Sequence, residues 1–456
     1  MNTNNRILDN WDPENVQLWQ TTGSKIARRN LWVSVFCLTL AFCIWMVFSA
    51  VVLKLNHVGF HFSNNQLFWL AALPSISGAL LRVPFSFVIP IVGGRRWTTI
   101  STLVLIIPSI WLGFAVQDPT TSFTSFAIIA ILCGLGGGNF ASSMANISFF
   151  YPKRLQGYGL GLNGGLGDGG VSVVQLCVPL VIGLSIFGGD PQQTDLHTSI
   201  WLQNAAFIWV PFIILASILA WFLMNDIAGI KASLSGQLVV LKKKDMWVTS
   251  LLYLATFGSF IGFSAGFALL TKIQFPDINI LHYAFLGPLL GAIARPIGGW
   301  LSDKFTGLKV TLWNFFAMFI LVLLVFPTLP SEHSSGSFAL FYLVFMGLFA
   351  CTNLGSGSSF QMIAALFHTK SVIEGKAQGM DSHKADEYAS ILSSAALGFA
   401  SAIGAVGGFI IPKAFGSSIQ MTGSPSSALI SFAIFYLICI ALTWFVYMRK
   451  GSQQLS

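Results

Sequence analysis

Residues 77–98 read SGALLRVPFSFVIPIVGGRRWT, and residues 290–311 read LGAIARPIGGWLSDKFTGLKVT. At a constant offset of 213, with no gap, Gly78–Ala79 falls on Gly291–Ala292 and Arg82 on Arg295. Gly94 falls on Gly307, Arg96 on Lys309 and Thr98 on Thr311. Such self-similarity marks a duplicated unit, and the rest of the chain is read outward from it. A second pair agrees: GLNGGLGDGG at 161–170 and GFASAIGAVG at 398–407. There, at offset 237, Gly161, Gly167 and Gly170 fall on Gly398, Gly404 and Gly407. Glycine-rich sequences match easily, so the first pair carries the argument.

Composition says what kind of unit was duplicated. Of 456 residues, 54% are hydrophobic and only 9% charged, against about 25% charged in a soluble domain. A soluble globule of this length needs more polar surface, and disorder needs low hydrophobicity. Twelve apolar stretches reach the roughly 20 residues that cross a bilayer as a helix. They lie near 32–54, 66–91, 97–117, 123–150, 157–187, 198–224, 246–271, 279–302, 308–329, 337–367, 389–416 and 425–448. The longer ones imply tilt or bending. The expected fold is an all-α polytopic membrane protein with twelve transmembrane helices in two pseudo-symmetric six-helix halves. The expected halves are 32–224 and 246–448, flanked by an N-terminal segment 1–31 and a tail 449–456. The polar stretch 225–245, carrying Lys242, Lys243 and Lys244, reads as the linker between them.

The net charge of +8 follows the positive-inside rule. With both termini cytoplasmic, nineteen of the 24 basic residues lie inside, and only Lys54, Lys272 and Lys413 lie outside. They are spread through short loops with no aromatic interleaving, which argues against nucleic acid. The N-terminal 30 residues are polar and read as no signal peptide. Cys37, Cys43, Cys133, Cys177, Cys351 and Cys439 all sit in apolar stretches without metal spacing and read as packing residues. No metal or cofactor is expected.

Three ionisable residues fall deep inside spans: Arg82, Arg295 and Asp168. Such residues are costly and mark a pathway by default. Arg82 lies about ten residues from the inner end of its span, roughly 15 Å along a helix, and Arg295 about eight from the end of its own. Two arginines at equivalent positions of two halves make a site for an anion. The bland alternative pairs each with a buried carboxylate, and only Asp168 is available. Guanidinium keeps its charge and presents a planar fork that suits a flat oxyanion. The run 159–164, GLGLNG, formally matches a dinucleotide fingerprint, but no strand precedes it. Its glycines either let helices approach closely or open the backbone to a ligand.

Further segments carry a family resemblance. GGWLSDKFTGLKV, residues 298–310, resembles the loop signature of major facilitator transporters, and Asp303, Lys304, Gly307 and Lys309 fit it. In the first half the acidic position is Pro90, and only Gly94, Arg95 and Arg96 remain. The resemblance implies a conformational gate at Asp303, Lys304 and Gly307; helix capping at a tight turn is the plainer reading. GLNGGLGDGGVSVVQL and ALGFASAIGAVGGFIIPKAFG resemble the paired nitrate signatures of the nitrate/nitrite porter family. LLRVP, NFASSMANISFF and SLLYLATFGSFIGFSAGF are similar to its NarK/NarU branch, and the similarity runs from Trp11 to about Met448. It implies that Arg82 and Arg295 hold the anion, that Phe140 and Phe257 sandwich it, and that Tyr253 adds a hydroxyl donor. Asn163, Gly164 and Ser401 are placed beside it. Without the resemblance these aromatics read as core. One position departs: Asp168 stands where the family has Asn. An ionised Asp repels an anion; a protonated one acts like an amide donor, and a paired one sits on an arginine.

The resemblance implies nitrate/nitrite antiport by alternating access, in the bacterial inner membrane, by a monomer in a lipid bilayer. Two facing guanidiniums repel when nothing lies between them, which disfavours closure without an anion. The rival within transport is proton-coupled nitrate symport through Asp168, because no histidine or glutamate lies deep in a span. A membrane enzyme would need clustered nucleophiles, bases or metal ligands, and none is seen. A sensor without flux is the third class.

Overall fold

The computed structural model describes residues 6–194, 198–229, 238–331 and 334–449. Lys231, Lys450, His197, Glu332 and His333 lie outside the described residues, as does most of the tail.

Twelve helices are long and apolar enough to cross a membrane. The first six are α1 Val16–Val58, α2 Asn64–Phe87, α3 Gly94–Ala115, α4 Phe123–Phe150, α5 Lys153–Val181 and α6 Asn204–Leu223. The second six are α7 Lys244–Gln274, α8 Ile280–Phe305, α9 Gly307–Thr328, α10 Phe338–Ala377, α11 Lys384–Thr422 and α12 Ser426–Met448. Serines begin several of them. Ser63 forms a capping box with Gln66 at α2, and Ser122 and Ser337 accept from backbone N–H groups at α4 and α10. The apolar stretch of α1 is 89% enclosed and that of α7 94%, against 33% for α6 and α12. Thus α1 and α7 are the equivalent inner helices of the halves, and α6 and α12 face outward.

The duplicated glycines explain how the inner helices are held. A Cβ on Gly167 would stand 2.6 Å from Leu38 of α1, and one on Gly404 would stand 2.7 Å from the Tyr253 ring of α7. Equivalent glycines therefore seat α5 on α1 and α11 on α7 at backbone-to-side-chain contact distance, as small residues do in membranes. Prolines lie inside α2 (Pro74, Pro84), α5 (Pro179), α8 (Pro296) and α11 (Pro412), where each removes a backbone donor and bends the helix.

Several limits differ from the sequence reading. The first helix begins at Val16, so half of the expected N-terminal segment is helical, including a π-turn at Trp19–Gly23. Of the rest, the described residues 6–15 are docked onto the bundle. Ile7–Leu8 forms a parallel strand pair with Asp226–Ile227, and the Trp11 indole N–H donates to the Phe149 carbonyl at 3.0 Å. Hydropathy sees only the apolar part of α1, and a two-residue strand carries no periodicity. Between the halves α6 ends at Leu223 and α7 begins at Lys244, within two residues of the expected linker limits.

On the face opposite the termini the two halves are hydrogen-bonded together. Lys272 Nζ of α7 donates to the Leu53 carbonyl of α1 at 2.6 Å, and Lys413 Nζ of α11 to Asn65 of α2 at 2.8 Å. Deeper in, Gln175 Nε2 of α5 donates to the Ser264 carbonyl of α7 at 2.9 Å and to Ser49 at 3.0 Å. On the termini side the halves part, leaving a cavity of about 580 Å³. Glu14, Lys153, Gln156 and Asp386 line it, and so do Phe140 and Ser401 at the centre of the molecule.

Candidate functional site

Arg82 of α2 and Arg295 of α8 are 0% and 7% exposed. Arg82 donates through Nε to the Gly137 carbonyl of α4 at 3.0 Å and through Nη1 to the Ser401 carbonyl of α11 at 2.7 Å. Its Nη2 makes no hydrogen bond among the described residues. Arg295 donates through Nη1 to the Asp168 carboxylate of α5, an ion pair, and through Nη2 to the Tyr253 hydroxyl oxygen at 3.2 Å. Each arginine thus reaches across to the other half. The plainer sequence reading holds for one of them: Arg295 has its carboxylate, while both bonds from Arg82 go to neutral carbonyls.

Two rings lie against both guanidiniums. Phe140 of α4 and Phe257 of α7 lie with centroids 6.1 Å apart and planes 29° from parallel. The Arg82 guanidinium carbon is 4.6 Å from the Phe140 centroid and 5.2 Å from that of Phe257. For Arg295 the values are 5.8 and 5.5 Å. Ring faces attract cations, so the same two rings partly offset two like charges. Trp45, 5.3 Å from Arg82, does so from α1. Two ring-to-anion contacts of about 3.5 Å each need about 7 Å. The 6.1 Å gap is narrower, so a flat anion sandwiched there must part the rings by about an ångström.

Local backbone chemistry places these rings. Leu254–Gly258 is a π-turn inside α7, a feature frequent at functional sites. It brings Tyr253 and Phe257 into a stack, centroids 5.3 Å apart at 15°. Gly404 of α11 accepts the face of Tyr253 without a Cβ. On the other half, a Cβ on Gly164 would lie 3.6 Å from the Phe140 ring. Asn163 donates to Ser143 at 2.8 Å, and its Oδ1 has no partner among the described residues. Ser401 presents its carbonyl, not its hydroxyl, to Arg82; the hydroxyl donates to Gly398.

The structure therefore gathers Arg82, Arg295, Asp168, Tyr253, Phe140, Phe257 and Ser401 at one centre, with Gly164 against Phe140 and Asn163 one step behind. Asp303, Lys304 and Gly307 are elsewhere, at the turn between α8 and α9. Asp303 accepts from Gln361 of α10, and Lys304 lies 5.5 Å over Trp300. A Cβ on Gly307 would meet Met362 at 3.1 Å. These contacts all stay within the second half. In the first half the acid missing at Pro90 is supplied from the linker: Asp226 accepts from the Arg95 backbone at 2.9 Å and its guanidinium at 3.2 Å. Sequence reasoning missed Asp226, Gln175 and Asn353. Gln175 and Asn353 were visible as amides in apolar spans; Asp226 had no signal.

A model of the Major Facilitator Superfamily matches residues 27–380. The chain belongs to the Major Facilitator Superfamily. Within it the chain is 57% identical to the nitrate/nitrite transporter NarU of Salmonella typhimurium, over 99% of this chain and 98% of that protein. It is 58% identical to NarU of Escherichia coli, over 98% and 97%. The probable nitrate/nitrite antiporter NarK2 of Thermus thermophilus is 37% identical, over 98% of each chain. Among solved structures, a D-xylose–proton symporter superposes with a TM-score of 0.66 at 15% identity, covering 94% of this chain and 99% of that one. It shares the fold. The protein is thus a multi-pass secondary transporter of the major facilitator fold and not an enzyme.

Proposed function

We propose that this transporter exchanges nitrate for nitrite across the bacterial cytoplasmic membrane by alternating access, with the anion held between Arg82 and Arg295. One observation supports the reading: two buried guanidiniums from equivalent helices of the two halves lie against the same two rings, and among the described residues one carboxylate pairs with one of them. The relatives' names point to the same substrates. The Nη2 of Arg82 is a ready donor for an oxyanion oxygen. Tyr253 and the two rings give the site a flat, edge-polar shape that suits a planar monovalent anion. The moving bodies are residues 32–224 and 246–448, joined by the linker 225–245.

The distribution of basic residues supports cytoplasmic termini; on this reading the cavity beside Ser401 and Lys153 opens inward and the lysine bonds close the outer face. Exchange follows from charge. One guanidinium has no buried carboxylate among the described residues, and closing the halves around it without an anion strands a charge in an apolar centre. Nitrate enters and nitrite leaves when the cell reduces one to the other. The direct test is counterflow in proteoliposomes. Labelled nitrate should accumulate when nitrite or nitrate is inside; uptake at full rate into anion-free vesicles sinks exchange.

A further inference from the structure

Arg295 is not open to a ligand on every side. Asp168 holds its Nη1 and Tyr253 its Nη2. Asp168 has no exposed surface, and its Oδ1 makes no hydrogen bond among the described residues. A carboxylate on a guanidinium presents the same planar, two-oxygen edge that nitrate or nitrite does. Substrate and side chain therefore compete for one fork.

We propose that Asp168 is a tethered counter-anion, which occupies Arg295 when substrate does not and yields the guanidinium when a planar monovalent oxyanion arrives. The idea rests on the central anion site argued above. Arg82, whose Nη2 is unengaged, makes the first contact, and Arg295 is handed over second. A displaced carboxylate needs a new partner. Arg295 of α8 and Arg82 of α2 are the charged groups that face it, Tyr253 of α7 lies across Arg295, and Asn353 of α10 is its remaining polar neighbour. Helices α1, α4 and α6 pack on α5 without bringing an acid or base to Asp168 among the described residues. The Asn353 amide lies beside Asp168 without reaching full hydrogen-bond geometry. One neutral donor does not compensate an ionised carboxylate in an apolar centre, so displacement is completed by a proton on Asp168. In exchange, the proton accompanies the anion in both directions, and no net proton movement results.

The test is nitrate binding to the purified full-length protein and to Asp168→Asn, by calorimetry at pH 8 and pH 5.5. Removing the competitor should tighten nitrate binding about tenfold or more at pH 8. Wild-type affinity should rise as pH falls, with proton uptake measured by repeating the titration in buffers of different ionisation heat. The variant should show neither effect. Equal or weaker binding by Asp168→Asn overturns the proposal, because a carboxylate that merely positions Arg295 would be missed rather than outcompeted. If the variant does not fold, the wild-type arm decides alone: a flat pH profile without proton uptake overturns it. Absence of nitrate binding in both proteins refutes the central site itself.

Discussion

Replacing Arg82 by lysine keeps the charge and removes the fork. In the structure Arg82 divides its donors three ways: Nε to Gly137 on α4, Nη1 to Ser401 on α11, and Nη2 buried without a partner among the described residues. An ammonium carries its donors on one atom. It cannot span carbonyls on two helices and also meet an anion. If it stays with the carbonyls, the anion loses its donor; if it turns to the anion, the Gly137 or Ser401 carbonyl is left bare. Either outcome forfeits about one charge-assisted hydrogen bond, about 1.5–3 kcal/mol. At 1.4 kcal/mol per decade, that is roughly a ten- to hundredfold loss of nitrate affinity. Calorimetry should show that loss, and nitrate/nitrite exchange in proteoliposomes should fall with it. Size-exclusion chromatography and thermal unfolding report whether the variant is folded. A folded Arg82→Lys protein with wild-type affinity and flux refutes the argument that the planar fork holds the anion.

Tyr253→Phe removes the acceptor 3.2 Å from Arg295 Nη2; a bond to a charged group of about 1.5 kcal/mol should raise the KM for nitrate about tenfold, and an unchanged KM argues that the hydroxyl is idle. Gly404→Ala drives a methyl to 2.7 Å from the Tyr253 ring and should lower thermal stability by about 1–3 kcal/mol through overpacking while cutting exchange. Gly169→Ala, with open space around it, should leave both at wild-type level; equal behaviour of the two variants contradicts the packing account. Lys413→Met loses a bond between the halves on the outer face. In a cysteine-free background, a cysteine at Ser172 should then react faster with an impermeant external thiol reagent, and an unchanged rate removes Lys413 from the outer closure.

The fold was legible because it was written twice. A constant offset placed Arg82 and Arg295 at equivalent depths, and the glycine offset matched α5 to α11. Period and hydropathy then located twelve spans. What stayed hidden depends on distances across the fold. Asp168 and Arg295 are 127 residues apart, and only the packing of α5 against α8 makes them an ion pair. The sequence left pairing as one of several roles for Asp168. Asp226 was unreadable for a related reason: the loop signature lacks its acid at Pro90, and the replacement comes from a linker whose composition says only that it is polar. The π-turn at Leu254–Gly258 left no mark either, because an inserted residue shifts register without changing hydropathy. The rings were named from resemblance as partners of an anion; the structure shows them also lying against both guanidiniums, a role that residue type alone cannot assign.

The short strand pair between Ile7–Leu8 and Asp226–Ile227 bears on how the chain is made. Its two strands bracket the first six helices, and Asn225 and Asp226 tie back to Asn30 and Arg95 beside it. The ribosome emits one strand at the start of synthesis and the other only after α6. In chain order the second strand precedes α7, so the pair can close the first half before α7 is added. Chains are synthesised at roughly 5–20 residues per second and domains fold as units, N-terminal first. The strand pair therefore marks the moment when the first bundle is finished and can serve as the template on which the second one docks.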